Sequence, residues 1–270
     1  MKSICEVLTR PTAGPSNFKA SERCCIKHRA TFTSFSTAPG VWSGCPTCAD
    51  EHDAEERDRA WRESREKSKA AAERRALEEW QEKMKRCGIP PRFSGKTFVN
   101  FKADTHGKQR VFDFSVGYAG GFESNPGKCA VFIGTPGTGK THLAVAIGLD
   151  LLNRGKSVLF CTAIRAIRRI KDTWAKGATE TESEAVASLV WPDLLILDEV
   201  GVQFGSETEK VLLFDVLNER YEQRKSTIIL SNLSLEEVQG YLGERVFDRL
   251  REDGGQVMVF KWDSHRKTEV

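Results

Sequence analysis

The sequence predicts an α/β fold over residues 88–270: a five-stranded parallel sheet with helices on both faces. Three observations carry that prediction. Short apolar runs recur along this part of the chain, namely CAVFIG (129–134), SVLFCTA (157–163), LLILDEV (194–200), STIILSNL (226–233) and QVMVFKW (256–262). Helical stretches lie between them, such as THLAVAIGLDLLNRG, which Gly155 brings to an end. Several runs are apolar throughout rather than alternating, as strands buried on both faces must be. No internal repeat is visible.

At 270 residues and 39% hydrophobic content, the chain suits one domain of ordinary size plus an appendage. No apolar run approaches the ~18 residues of a membrane span, and the first thirty residues lack a signal-peptide core. A cytoplasmic protein with no membrane partner is therefore expected. The net charge of +3, from 41 basic and 38 acidic residues, excludes a histone-like protein but leaves room for a local nucleic-acid groove.

The eight cysteines do not form a disulfide framework. Cys5, Cys87, Cys129 and Cys161 are scattered and read as ordinary buried thiols, whereas Cys24, Cys25, Cys45 and Cys48 crowd together. Residues 1–20 read as a flexible N-terminus and 21–49 as a metal-binding module. Cys25-x₂-His28, followed sixteen residues later by Cys45-Pro-Thr-Cys48, has the ligand types and knuckle spacing of a tetrahedral structural Zn²⁺ site. Cys24 is an alternative to Cys25, and four unrelated reduced thiols are the plainer reading.

Residues 50–87 contain no Gly and no Pro, and read as a long charged helix. Glu55–Arg59, Asp58–Arg62, Glu63–Lys67 and Glu79–Lys83 are spaced for i,i+4 ion pairs in the favourable direction. The helix is either a spacer or partner-binding arm, or a solvated helix packing only a Leu77/Trp80/Met84 stripe. Gly88-Ile89-Pro90-Pro91 stops it.

GTPGTGKT (134–141) has the full pattern of a phosphate-binding loop between a strand and a helix. Its glycines let backbone N–H groups close around phosphates, Lys140 reaches the outer ones, and Thr141 holds Mg²⁺. The predicted nucleotide contacts are Gly134, Thr135, Pro136, Gly137, Thr138, Gly139, Lys140, Thr141 and His142. LLILDE (194–199) delivers Asp198 and Glu199 at a strand's carboxyl end, Asp198 for the Mg²⁺ shell and Glu199 to activate water. No guanine-reading Asn-Lys-x-Asp motif is present, so ATP is the expected nucleotide. Asn232, ending the next strand, is placed to hold the lytic water, though a strand-end Asn also serves as a plain turn residue. In GERVFDRLRE (243–252), Arg245 and Arg249 share a helix face about a hundred residues beyond the loop. A surface helix with internal pairs is the plainer account of them.

Together these motifs resemble the AAA+ ATPases. From about Cys87 to Arg266, KRCGIPPRF, RGKSVLFCTA, KDTW, LLILDEVGVQ, SNLSLEEV, GERVFDRL and WDSHR look very like the DnaC-type (DnaC/IstB-like) replicative helicase loaders. The resemblance implies self-assembly through ATP sites, with Arg249 or Arg245 serving a neighbour's nucleotide and Arg266 acting as a second sensor within its own subunit. It also implies ATP-regulated delivery of a hexameric, DnaB-like helicase onto single-stranded DNA. The family's DNA-contacting segment corresponds here to Arg165, Arg168, Arg169, Lys171 and Trp174, which as bare sequence are equally a basic amphipathic helix. An IstB-type transposition helper is the alternative, and a non-hydrolysing nucleotide-dependent adaptor is the rival of another class. The N-terminal third departs from these loaders, which leaves recognition of the helicase open.

Overall fold

The computed structural model describes residues 19–201 and 206–265. The chain divides into two compact units, the first ending at Glu78 and the second beginning at Glu79. Most of the predicted N-terminus, residues 1–18, and Arg266 lie outside the described residues, as does Cys5.

The first unit begins with a small antiparallel sheet ordered β1-β2-β3, with β1 Ala20–Cys25, β2 Ala30–Ala38 and β3 Val41–Trp42. The β1–β2 turn tightens through Arg29, whose φ of 51° lies in the left-handed region. The charged helix α1 runs Pro46–Arg86 and so starts inside the Cys45–Cys48 motif. Proline suits this first turn, because the N–H it lacks would have no helical partner there.

The ion pairs closed along α1 differ from the four that spacing predicts: they are His52–Glu56, Lys69–Glu73, Arg74–Glu78 and Lys85–Glu82. At such exposed positions water screens a pair too strongly for it to select one set of rotamers. The apolar stripe is also shorter than expected. Trp80 and Met84 pack on the second unit's core, while Leu77 is 55% exposed. The helix ends at Arg86, and Gly88 takes a φ of 69° where a Cβ would stand 2.5 Å from Phe160 O. The Phe160 N–H then donates to Cys87 O at 2.7 Å, which occupies the sheet's free edge.

The second unit carries the predicted parallel sheet. Its strands are β4 Ala130–Gly134, β5 Val158–Thr162, β6 Leu194–Asp198, β7 Ser226–Ser231 and β8 Gln256–Phe260, in spatial order β5-β6-β7-β4-β8. All four pairings are parallel. Alternate side chains feed two cores, one on each face. Phe132, Ile196 and Ile228 join α2 (His106–Gly120) and α3 (Lys140–Asn153) on one face. Val131, Leu195, Leu197 and Ile229 join α4 (Ala163–Asp172), α5 (Glu182–Val190), α6 (Glu207–Glu222), α7 (Leu235–Leu242) and α8 (Glu244–Arg251) on the other. Each fully buried side chain of this kind contributes about 1.5–3 kcal/mol by leaving water.

Candidate functional site

The phosphate-binding loop lies where the sequence places it, between β4 and α3. Gly134 has a φ of 145°, and a Cβ there would stand 2.5 Å from Phe260 O, so only glycine lets β4 and β8 close at this end. Gly137 and Gly139 take φ of 84° and 96° as the loop wraps round. Inside the turn the Thr138 hydroxyl donates to Thr135 O at 2.8 Å. Lys140 is 6% exposed, and its ammonium donates to Gly134 O (2.6 Å), Thr135 O (2.9 Å) and Asn232 Oδ1 (2.9 Å). Asn232 therefore reaches the loop from the end of β7, ninety-two residues away in sequence. Thr141 Oγ1 donates to Asp198 Oδ2 at 3.1 Å, joining the ends of α3 and β6. Burial pushes the Asp198 carboxyl above the usual carboxylate range, which a divalent cation at this spot would offset.

Glu199 is exposed and adopts a φ of 59°, a rare left-handed conformation for a non-glycine residue. That turn lets Val200 sink completely into the core, where its N–H donates to Leu230 O at 3.0 Å and its carbonyl accepts from Ser231 Oγ at 2.6 Å. The Glu199 carboxyl stays at the surface beside Asp198 Oδ1, which accepts the Glu199 N–H at 2.8 Å. His142 turns to the segment ahead of the sheet: its Nε2 lies 2.9 Å from Thr97 O, and its ring meets Phe101 edge-on at 5.3 Å.

Two supports of the loop escaped the sequence reading. The Trp262 indole N–H donates to Thr138 O at 3.0 Å, and the His265 N–H donates to Gly137 O at 3.1 Å. The chain beyond β8 thus straps the loop from behind, and Arg266 is the next residue. Phe101 presses on the other side, 2.9 Å from where a Gly139 Cβ would stand. The aromatic residues of FVNF and WDSHR were the available signal, but ordinary core packing accounts for such residues equally well.

Arg245 is exposed on α8. Arg249, one turn on, is half-buried and lies over the Tyr221 ring at 4.7 Å. On α4 the apolar stripe Ala163, Ala166, Ile167 and Ile170 is buried, which turns Arg165, Arg168 and Arg169 outward. These three border an open cleft with Asp172 and Glu180. Arg169 pairs with Glu180 at 2.6 Å and Lys171 with Glu209 at 2.9 Å, while the Trp174 indole donates to Glu182 at 2.5 Å. Among the described residues the Arg165 and Arg168 side chains form no ion pair.

In the first unit Cys25, His28, Cys45 and Cys48 converge, their donor atoms within 4.8 Å of one another. Cys25 Sγ lies 3.5 Å from His28 Nδ1 and 3.6 Å from Cys48 Sγ, and His28 Nδ1 is 3.8 Å from Cys45 and 3.4 Å from Cys48. A tetrahedron with metal–sulfur bonds of about 2.3 Å and metal–nitrogen bonds of about 2.0–2.1 Å has edges of roughly 3.5–3.8 Å, so the four donors fit a tetrahedral ion. Cys24 is not in the cluster; its thiol faces Cys25 O at 3.9 Å. Backbone hydrogen bonding at His28 lowers the Cys25 thiol to about 6, while its hydrogen bond to Cys25 raises Cys48 to about 11. The outer nitrogen of His28 meets Glu51 Oε1 at 2.9 Å, a contact that fixes which nitrogen faces the thiols. Spacing found the four residues of the cluster but not Glu51, which reaches the histidine only because α1 begins at Pro46.

The sequence model described as "IstB-like ATP binding protein" matches residues 124–269, more than half of the chain. The chain is also similar to the replicative helicase loader DnaC of Escherichia coli strain K12, 36% identical over 210 residues, which cover 77% of this chain and 84% of that protein. The chain belongs to the DnaC/IstB-like family of ATP-binding proteins. DnaC of Buchnera aphidicola subsp. Acyrthosiphon pisum is 37% identical over 182 residues, 67% of this chain and 74% of that one.

Among solved structures, a crystal structure of the DnaC helicase loader superposes with a TM-score of 0.58 at 25% identity, over 64% of this chain and all of that one. AMPPCP-bound DnaA from Aquifex aeolicus gives 0.53 at 25% identity, over 65% and 52%. The sheet of this DnaC/IstB-like protein is accordingly an AAA+ sheet, preceded by a Cys/His cluster and a charged helix. No helix among the described residues is long and apolar enough to cross a membrane.

Proposed function

We propose that this protein is a cytoplasmic, ATP-hydrolysing helicase loader that delivers a hexameric, DnaB-like helicase onto single-stranded DNA. One observation carries the reading: Lys140 and Thr141 of α3 are already hydrogen-bonded to Asn232, just past β7, and to Asp198 of β6, so three elements meet at the sheet's carboxyl end. ATP would take the Lys140 ammonium away from the Gly134 and Thr135 carbonyls and onto its phosphates. Thr141 and Asp198 would hold Mg²⁺, which would supply charge neutralisation for the phosphates. Glu199, at the surface beside it, would take the proton of the attacking water while Asn232 orients that water.

The arginine that completes the site would come from a neighbour. Arg249 shares a cavity with Cys129, at the start of β4, while the loop begins at Gly134. Five residues of strand at ~3.3 Å each put it about 16 Å from its own phosphates, which favours action in trans. Arg245, one turn earlier on α8, is the second candidate. Arg266, directly after the strap on Gly137, would act in its own subunit as the second sensor. Zn²⁺ is the ion that best suits a Cys₃His tetrahedron. Arg165, Arg168 and Arg169, with Lys171 and Trp174 beside them, would follow the DNA backbone.

The test is an association assay with a replicative hexameric helicase and single-stranded DNA. The expected result is ATP-dependent retention of the helicase on DNA, lost in Lys140→Ala. Because the matching family is described as IstB-like, an IstB-type transposase is the second bait. Retention of the transposase alone would replace the loader reading with the transposition-helper reading.

A further inference from the structure

Two arginines of the second unit are treated very differently. Arg220, on α6, is fully buried and saturated: it donates to Thr227 Oγ1 and to the carbonyls of Leu189, Val190, Pro192 and Ser226. Its guanidinium is committed to the fold. The Arg249 guanidinium makes no hydrogen bond or ion pair among the described residues. It is held instead by an aromatic face, with its carbon 4.7 Å above the Tyr221 ring centre. Tyr221 is itself fixed, because its hydroxyl donates to Glu252 Oε2 at 2.5 Å, just past the end of α8. Arg249 and Tyr221 line one small cavity with Asn218. Two buried side-chain atoms lack a hydrogen-bond partner among the described residues: Arg249 Nη1, a donor, and Asn218 Oδ1, an acceptor. They line this same cavity.

A ring fixes the plane of a guanidinium without consuming its N–H groups, whereas a carboxylate would consume them. We infer that Tyr221 is a positioning residue for Arg249, holding its guanidinium in plane, with Nη1 turned into the cavity and the remaining donors uncommitted so that a neighbouring subunit's nucleotide phosphate can take them. This rests on the trans-acting reading of Arg249. Order supplied in advance spares the side chain the loss of rotamer freedom when it engages phosphate, so the effect belongs in turnover rather than in ATP affinity.

The experiment measures kcat and KM for ATP at assembling protein concentration, in the wild-type and Arg249→Ala backgrounds. Single-turnover phosphate release reads the residual rate of the slow variants. Tyr221→Leu is expected to lower kcat about tenfold with KM unchanged in the wild-type background, and to do nothing further in Arg249→Ala. Tyr221→Phe keeps the ring and should retain most of the rate. A Tyr221→Leu rate equal to wild type overturns the inference. So does an equal fall in both backgrounds, which is what general damage to the fold would produce. If Arg249→Ala itself turns over at the wild-type rate, the trans-acting reading beneath it fails instead, and the two failures are told apart by that single variant.

Discussion

Glu199 illustrates how one residue's backbone sets the surroundings of two adjacent acids. Its left-handed φ of 59° buries Val200 and leaves Glu199 at the surface, next to the half-buried Asp198. Two adjacent acids thereby acquire different environments, one suited to a cation and one to a water molecule. Glu199→Gln removes only the proton acceptor, so ATP affinity should stay within about twofold while turnover falls at least about 10²-fold, the usual contribution of a positioned base. Fluorescent-nucleotide titration and phosphate release measure the two quantities, and wild-type turnover would place the base elsewhere. Lys140→Ala differs in kind. The ammonium is the loop's only buried cation among the described residues, and hydrogen bonds involving a charged group contribute about 1.5–3 kcal/mol. A loss of roughly 10–100-fold in ATP affinity is expected, read by the same titration.

At the scale of elements, Arg220 pins α5 to β7. Its Nη1 meets, at 2.8–2.9 Å, the carbonyls of Leu189 and Val190, which the end of α5 leaves without helical partners, and that of Pro192 just beyond the helix. Arg220→Met fits an apolar chain into the space but orphans those carbonyls in a dry core, at about 1–3 kcal/mol each. A loss of about 3 kcal/mol or more follows, which for a unit of this size lowers the melting temperature by roughly 6–12 °C in a thermal unfolding experiment. A shift under a few degrees would show that water fills the gap. The Cys/His cluster is an element-scale device too, joining the β1–β2 turn to the first turn of α1. Purified protein should carry about one Zn²⁺ per chain, and Cys45→Ser or Cys48→Ser should lose it. ATP affinity should not change, since every residue of the loop site lies in the second unit. Metal analysis of wild type without zinc would refute the assignment.

Assembly is the whole-molecule question. Arg249→Ala keeps its phosphate loop and Lys140→Ala keeps its arginine, so each should be inactive alone for a different reason. Mixed, some interfaces pair an intact loop with an intact arginine, and a fraction of the ATPase rate should return. Arginine fingers in other phosphate-loop enzymes contribute about 10³–10⁵ in rate. A smaller factor is expected here, because a regulator of this type is suited to slow hydrolysis. A mixture that co-assembles yet stays inactive would assign these arginines to their own chain.

The sequence by itself determined the parallel sheet and most of the nucleotide site. Buried parallel strands must be continuously apolar, and a phosphate loop needs its glycines and lysine within eight consecutive residues, so both are written locally. The same holds for Cys25, His28, Cys45 and Cys48, whose short spacings are set by two turns. Only the tertiary structure separated Cys25 from Cys24, because a strand turns adjacent side chains to opposite faces and one-dimensional spacing allows either. It alone brought Asn232 to Lys140, Trp262 to Thr138, Glu51 to His28 and Tyr221 to Arg249. These contacts join residues 23 to 124 positions apart, or meet across helices whose packing angle no local pattern encodes. It also left Leu77 in solvent and Arg220 in the core, the reverse of what their side chains suggest. Burial follows from what stands opposite a position once the layers have stacked, and that is fixed by the fold and not by the residue.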